Sequence, residues 1–269
     1  MENVISSTQN PKVRHLLLLQ QKSQMRRSEG LFVVEGQREL SHCIEAGFQV
    51  DTVFVCHEML AGGTVPGILS VANEVCEVSK RVYERIAYRG STEGLMATVH
   101  VKTARLADLQ LPERPLIVVL EGVEKPGNLG AVLRSADASG ADAVVVCDPL
   151  TDLYNPNLIR SSIGAVFTVP VVACSSSECI TFLKSRNIRI LTAQLQDSRL
   201  YYDIDMRCAT AIVMGTESTG LTNQWREAAD NHIRIPMSGR LDSLNVSVSA
   251  AILMYEAVRQ RSEFATEKS

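Results

Sequence analysis

The chain has 269 residues, 45% of them apolar, and a formal net charge of −3. This length fits one large domain or two domains of about 100–150 residues, with enough apolar material for a core. No apolar run is long enough for a membrane-spanning helix. The N-terminus lacks the basic and apolar segments of a signal peptide. We therefore expect a cytoplasmic protein that does not associate with membranes.

Seven cysteines are spread over the chain, at positions 43, 56, 76, 147, 174, 179 and 208. There is no C-x-x-C pair, and no histidine lies near Cys174 and Cys179, the closest pair, at a ligand spacing. Zinc sites and disulfide frameworks usually show such patterns. The sequence therefore predicts buried or incidental thiols and no metal site.

Residues 1–100 alternate short helical and strand patterns, which favours a small α/β domain. A helix is expected over about 11–26, inside a stretch with no acidic residue between Asn3 and Ser28. Such a local basic stretch can contact phosphates even on an acidic chain, although an ordinary solvated helix face explains it equally well. The candidates for these contacts are Lys12, Arg14, Arg26 and Arg27.

After a plausible linker at 101–113, the pattern becomes regular. Six apolar runs predict strands at about 116–120, 142–147, 166–172, 188–192, 211–214 and 233–235. Runs that are apolar on both faces are typical of buried parallel strands. We therefore predict that residues 114–269 form an α/β domain with a mostly parallel sheet and helices on both faces.

Helical patterns lie between most of these runs. The first has an apolar stripe over 129–136, with Asn128 as a suitable N-cap and Gly140 as a suitable stop. The last helix is expected over about 244–261.

Ligands bind at the carboxyl ends of strands in open α/β sheets, and three unusual loops follow strands here. In the first, residues 121–134, Gly130 and Arg134 are one helical turn apart, which leaves room for a ligand at the arginine. A helix-packing glycine and a surface arginine would give the same pattern. The loop contains no G-x-G-x-x-G, so the dinucleotide fingerprint is missing.

The second loop, residues 214–221, holds Gly215 and Gly220, which would let the backbone approach a ligand closely, with Glu217 at the tip. A plain turn with a helix-capping acid is the alternative. The third, residues 235–251, crowds serines and an asparagine at the start of the last helix, more than one N-cap requires. The free N–H groups of a first helical turn could bind ligand atoms there.

Together these loops resemble the SpoU/TrmH family of the SPOUT superfamily, which methylates ribose 2′-hydroxyls in RNA. The resemblance covers residues 114–262, and all three motifs occur in order at strand ends. The matching positions are Asn128, Gly130 and Arg134 in the first motif, Gly215, Glu217, Gly220 and Leu221 in the second, and Ile235 to Met237 with Ser243 to Ser247 in the third.

The resemblance implies a C-terminal SPOUT-type domain with a deep trefoil knot, preceded by a small α/β RNA-binding domain. It also implies a homodimer with active sites near the subunit interface. The implied cofactor is S-adenosylmethionine. Its implied binding residues are the backbone at Gly215, Ile235 and Leu244, with Met214 and Met237 beside them.

The family also implies roles for the polar residues. Arg134 would hold the phosphate next to the reacting ribose and stabilise negative charge on its hydroxyl, since a guanidinium stays protonated and is a poor base. Asn128 would orient Arg134 or the ribose. Glu217 would orient donors or favour the cationic sulfonium. Ser243 and Asn245 would line the methyl-transfer site.

A separate N-terminal domain favours ribosomal RNA of the 23S type as substrate, by analogy with family members that carry one. A tRNA ribose methyltransferase and a non-catalytic RNA-binding protein on the same scaffold remain alternatives. A nucleotide-dependent enzyme such as a dehydrogenase is disfavoured, because both G-x-G-x-x-G and the Walker G-K-[ST] are missing.

Overall fold

The computed structural model describes residues 4–60, 65–88, 93–216 and 218–266. The chain forms two compact units: Met1–Thr103 with Asp152–Thr168, and Ala104–Thr151 with Val169–Ser269. The predicted division placed 152–168 in the second domain, whereas these residues make their contacts within the first unit. Within the described ranges, no helix is long and apolar enough to span a membrane.

The strands are β1 (Leu31–Glu35), β2 (Val50–Val55), β3 (Glu74–Glu77), β4 (Leu95–His100), β5 (Leu116–Glu121), β6 (Ala143–Cys147), β7 (Val171–Cys174), β8 (Arg189–Ala193), β9 (Arg199–Leu200), β10 (Thr210–Met214) and β11 (Asn231–Arg234). The helices are α1 (Pro11–Gln21), α2 (Ser23–Glu29), α3 (Gln37–Glu45), α4 (Val65–Ser70), α5 (Lys80–Ile86), α6 (Pro126–Ser139), α7 (Pro156–Ser161), α8 (Ala165–Thr168), α9 (Ser176–Ser185), α10 (Asn223–Ala228) and α11 (Val246–Thr266).

The first unit is built on a four-stranded sheet in the order β1-β4-β2-β3. Strand β4 is antiparallel to both neighbours, while β2 and β3 are parallel. The helix expected over 11–26 is divided into α1 and α2 at Lys22, whose backbone is extended. The division leaves carbonyls at the end of α1 without helical partners, and the guanidinium of Arg26 donates to two of them, those of Leu19 and Gln20.

The second unit has a seven-stranded sheet in the order β7-β6-β5-β10-β8-β11-β9, in which neighbouring strands run parallel. Every residue of β5, β6 and β10 is buried, as the apolar runs predict. Helices α9 and α10 pack into a core cluster on one face of the sheet, and α6 and α11 pack together and against β5, β6 and β10. The predicted α/β class with a parallel sheet is confirmed.

The strand predicted over 166–172 is wrong in its first half. Residues Ala165–Thr168 form the short helix α8, and the strand β7 begins only at Val171. Phe167 stacks with Phe32 and makes an edge contact with Phe48 in the first unit. A short apolar run does not distinguish a strand from a buried helical turn, and here the aromatic packing selects the helix.

Candidate active site

A cavity of about 600 Å³ lies at the carboxyl ends of β8, β10 and β11. It is lined by the residues that follow these strands and by the segment that leads into α11. Ser243 and Asn245 are part of the lining. All five residues predicted to bind the cofactor also line it: Met214, Gly215, Ile235, Met237 and Leu244.

The loop after β10 is closed by two hydrogen bonds between Thr216 and Gly220. The Thr216 N–H donates to the Gly220 carbonyl at 3.3 Å, and the Gly220 N–H donates to the Thr216 carbonyl at 3.1 Å. Gly220 has a φ of +69°, which favours glycine, and a Cβ on Gly215 would lie 2.2 Å from the carbonyl carbon of Gly220. The loop therefore requires glycine at both positions. Glu217, predicted to lie at its tip, is outside the described residues.

Asn245 connects the third loop to the first. Its Oδ1 accepts from the Ser247 N–H at 2.9 Å and from the Ser247 hydroxyl at 2.6 Å, so Asn245 is the N-cap of α11. Its Nδ2 donates to Oδ1 of Asn128 at 3.1 Å. Two of the predicted catalytic residues are thus in direct contact.

Helix α6 begins earlier than the sequence predicts. Pro126 occupies its first turn, where a missing N–H costs nothing, and Lys125 precedes it without a side-chain cap. The prediction of Asn128 as the N-cap is therefore wrong, and its side chain instead meets Asn245. The predicted stop is confirmed, since Gly140 ends the helix with a φ of +67°. Asn128 also lines a smaller cavity of about 120 Å³ beside Gly215.

Arg134 lies further along α6 and is exposed. It is not among the residues that line either cavity. Gly130, one turn before it, is buried, as a helix-packing glycine would be. Arg134 is therefore accessible to a large ligand outside the cavity.

A buried polar network that the sequence analysis missed holds the end of the second loop. Glu121, only 4% exposed at the end of β5, accepts from the Thr222 N–H at 2.9 Å and from the Thr222 hydroxyl at 2.7 Å. The Ser176 hydroxyl lies 3.2 Å from Glu121 and 2.6 Å from Asp148, and it accepts from the Trp225 indole at 3.0 Å. In the sequence, the one sign of this network is a carboxylate, Glu121, at the end of an otherwise apolar strand.

Residues 115–255, more than half of the chain, match the SpoU rRNA methylase family. The chain belongs to this family. Residues 10–97 match the MRM3-like substrate binding domain, in the region where the sequence predicts an RNA-binding domain. The predicted family is confirmed.

Relatives in the SpoU family match nearly the whole chain. The 23S rRNA (guanosine(2553)-2′-O)-methyltransferase RlmP of Bacillus subtilis is 28% identical, over 93% of this chain and 97% of its own. The 23S rRNA (guanosine-2′-O-)-methyltransferase RlmB of Vibrio cholerae is 34% identical, over 82% and 95%. The crystal structure of an AdoMet-bound rRNA methyltransferase from Sinorhizobium meliloti is similar with a TM-score of 0.87, at 25% identity over 96% of this chain and 97% of that one.

The large cavity of this SpoU-family chain fits S-adenosylmethionine. Its volume lies within the range of about 300–1,000 Å³ that is usual for cofactor sites. Two side chains in its wall, Gln194 and Arg226, have a buried atom, Oε1 and Nε respectively, without a hydrogen-bond partner among the described residues. Such atoms are costly unless a ligand satisfies them, and the cofactor carries an amine, a carboxylate and ribose hydroxyls. Arg226 offers a cation for the carboxylate.

The predicted RNA-binding residues of the SpoU-family chain do not form one exposed set. Arg26 is buried at 4% exposure, and its Nε donates to Asp152 at 2.6 Å, so its assignment to RNA phosphates is corrected to a structural role. Lys12 is exposed and forms an ion pair with Glu74. Arg14 and Arg27 are exposed.

Proposed function

We propose that this protein transfers the methyl group of S-adenosylmethionine to a ribose 2′-hydroxyl of ribosomal RNA. The observation that carries the proposal is the contact between Asn128 and Asn245 at the rim of a cavity whose wall holds all five predicted cofactor residues. Methyl transfer beside these two asparagines requires that the substrate hydroxyl be aligned with the cofactor in the cavity.

When bound, the cofactor supplies a methyl group on a cationic sulfonium. The backbone at Gly215, Ile235 and Leu244, which line the cavity, would hold its adenosyl portion. Met214 and Met237 would pack beside it, and Arg226 would bind its carboxylate. The two hydrogen bonds between Thr216 and Gly220 hold the backbone of this loop in one arrangement, and glycine at 215 leaves room for it.

The substrate hydroxyl is a weak nucleophile, so the protein must position it and stabilise the charge it develops. Arg134, exposed on α6, holds the adjacent phosphate and supplies that positive charge. Asn128 and Asn245, fixed by their mutual hydrogen bond, orient the ribose. Ser243, which lines the cavity, would border the methyl-transfer site, and Glu217 would orient donors from the second loop.

The proposed substrate is large-subunit ribosomal RNA. The relatives RlmP and RlmB are named for 23S rRNA, and the match to a substrate binding domain over 10–97 supports a recognition module outside the catalytic domain. Arg14 and Arg27 supply exposed positive charge for phosphates in this module. We propose the cytoplasm as its site of action.

We also infer that the protein is a homodimer with a trefoil knot. Leu241 is 76% exposed, and Val248 and Tyr255, seven residues apart on α11, are 47% and 50% exposed. This apolar surface next to the site fits a second copy of the chain. For the knot, the support is the match of residues 115–255 to the SpoU rRNA methylase family.

The test is methyl transfer from radiolabelled S-adenosylmethionine to total RNA from a strain that lacks the protein, followed by separation of rRNA and tRNA. We expect label in one large rRNA, in alkali-resistant dinucleotides that report ribose methylation. Label in tRNA would support the proposed chemistry and overturn the proposal that the substrate is rRNA. No label in any fraction, with cofactor binding intact, would favour a non-catalytic RNA-binding protein.

A further inference from the structure

Three thiols converge on one side of the sheet in the second unit. Cys147 and Cys174 end the adjacent parallel strands β6 and β7 and are paired in register. Cys179 lies near the start of α9, the helix that follows β7. Their Sγ atoms all lie within 4.8 Å of one another, and all three cysteines are free. Three sulfur donors therefore face a common point.

The spacing fits a single metal ion at that point. With metal–sulfur bonds of about 2.3 Å, a planar three-sulfur site needs sulfurs about 4.0 Å apart. Small movements of the side chains would bring the three Sγ atoms, which lie within 4.8 Å of one another, to this spacing. Thiolates select soft ions such as Cu(I), while zinc requires a fourth ligand. Among the described residues, this group offers three ligand atoms, and the nearby carboxylate of Asp148 is engaged by Ser176.

We propose that Cys147, Cys174 and Cys179 form a binding site for one Cu(I) ion. Cys147 and Cys179 are fully buried, whereas Cys174 is partly exposed and gives the ion a path into the site.

The site is connected to the second loop of the active site. Cys147 is followed directly by Asp148, which accepts from Ser176, and the Ser176 hydroxyl lies next to Glu121. Glu121 in turn holds Thr222. An ion that ties β6, β7 and α9 together will stiffen the base of this network, so we expect Cu(I) to raise the thermal midpoint of the protein.

The experiment uses the full chain, reduced and kept free of oxygen, in competition for Cu(I) with a coloured Cu(I) chelator. We expect the protein to withdraw one Cu(I) per chain. Cys174→Ser should lower the affinity by about 100-fold, at least the loss seen for groups that only support metal ligands. The matched control is Cys208→Ser, another partly exposed cysteine of the same unit outside the cluster, which should bind as the original chain does.

X-ray absorption at the copper edge gives a second measurement on the unaltered protein, with three sulfur neighbours expected. Nitrogen or oxygen neighbours in place of sulfur would overturn the proposal, as would unchanged affinity in a folded Cys174→Ser. The proposal would also be overturned if the purified protein contained a Cys147–Cys174 disulfide and, after reduction of that disulfide, took up no Cu(I).

Discussion

Asn245 donates a hydrogen bond from its side-chain amide to the side-chain oxygen of Asn128 at 3.1 Å, across 117 residues of sequence. The bond joins the first turn of α6 to the N-cap of α11. Since α6 also carries Arg134 and the loop before α11 lines the cofactor cavity, this contact couples the phosphate-binding and cofactor-binding parts of the proposed site.

Substitutions at Asn245 separate its two roles. Asn245→Ala removes the cap and should lower the free energy of unfolding by about 1 kcal/mol, whereas Asn245→Ser retains a capping oxygen and should cost less. Both lose the amide that orients Asn128, so both should lower kcat by about tenfold, the equivalent of one hydrogen bond. Urea unfolding and steady-state methylation are the measurements. Wild-type turnover in Asn245→Ser would mean that Asn245 only caps α11 and does not orient Asn128 for the reaction.

Arg134→Ala is expected to lower kcat by about 100-fold or more, the usual loss when a charge-stabilising group is removed. Because Arg134 is exposed and outside the cavity, the affinity for S-adenosylmethionine and the thermal midpoint should not change. Arg134→Lys retains the charge without the planar fork and should recover part of the rate. Methylation by Arg134→Ala at the original rate would remove this residue from the mechanism.

Gly215→Ala should lower the affinity for S-adenosylmethionine by about tenfold or more, because the new Cβ must displace the backbone at Gly220 at a cost of about 1–3 kcal/mol. Gly127→Ala is the matched control. A Cβ at Gly127, in the first turn of α6, meets nothing within 4 Å, so affinity should be unchanged and stability unchanged or slightly higher. Calorimetric titration of the cofactor checks both variants, and equal affinities would contradict the prediction.

Glu121→Gln should lower the free energy of unfolding by about 2 kcal/mol. The amide would turn an N–H group toward one of the Thr222 donors, and this mismatch would lie at a side chain that is only 4% exposed. Glu124→Gln, an exposed acid of the same loop, should change stability by less than about 0.5 kcal/mol. Urea unfolding of both proteins compares them, and equal stabilities would mean that the network does not hold the loop.

Arg26 and Arg27 are adjacent but should behave oppositely. Arg26→Ala leaves Asp152 without its buried partner and should cost about 3 kcal/mol of stability. Arg27→Ala should leave stability unchanged and weaken RNA binding. The slope of log affinity against log salt concentration should fall by the amount expected for the loss of about one phosphate contact. Unfolding and filter-binding experiments over a range of salt separate the two effects. RNA affinity lost only in Arg26→Ala would reverse the assignment.

Local patterns in the sequence predicted much of this protein. Strands β5, β6 and β10 follow from runs that are apolar on both faces, because only buried parallel strands tolerate such runs. The motif positions around Gly215 and Ser243 were identified by their resemblance to the SpoU/TrmH family. Two local signals were ambiguous. At Phe167, aromatic packing selected a helix rather than a strand. At the start of α6, Pro126 in the first turn placed the helix start before Asn128.

The tertiary structure decided the contacts between residues far apart in sequence. The order of the strands brings Thr222 to Glu121, and the register of β6 and β7 aligns Cys147 with Cys174 beside Cys179. The break at Lys22 turns Arg26 inward to a carboxylate that no spacing in the sequence connects to it. Side-chain periodicity reports which face of an element is buried, whereas a long-range contact depends on which elements become neighbours, and that is settled only when the whole chain packs.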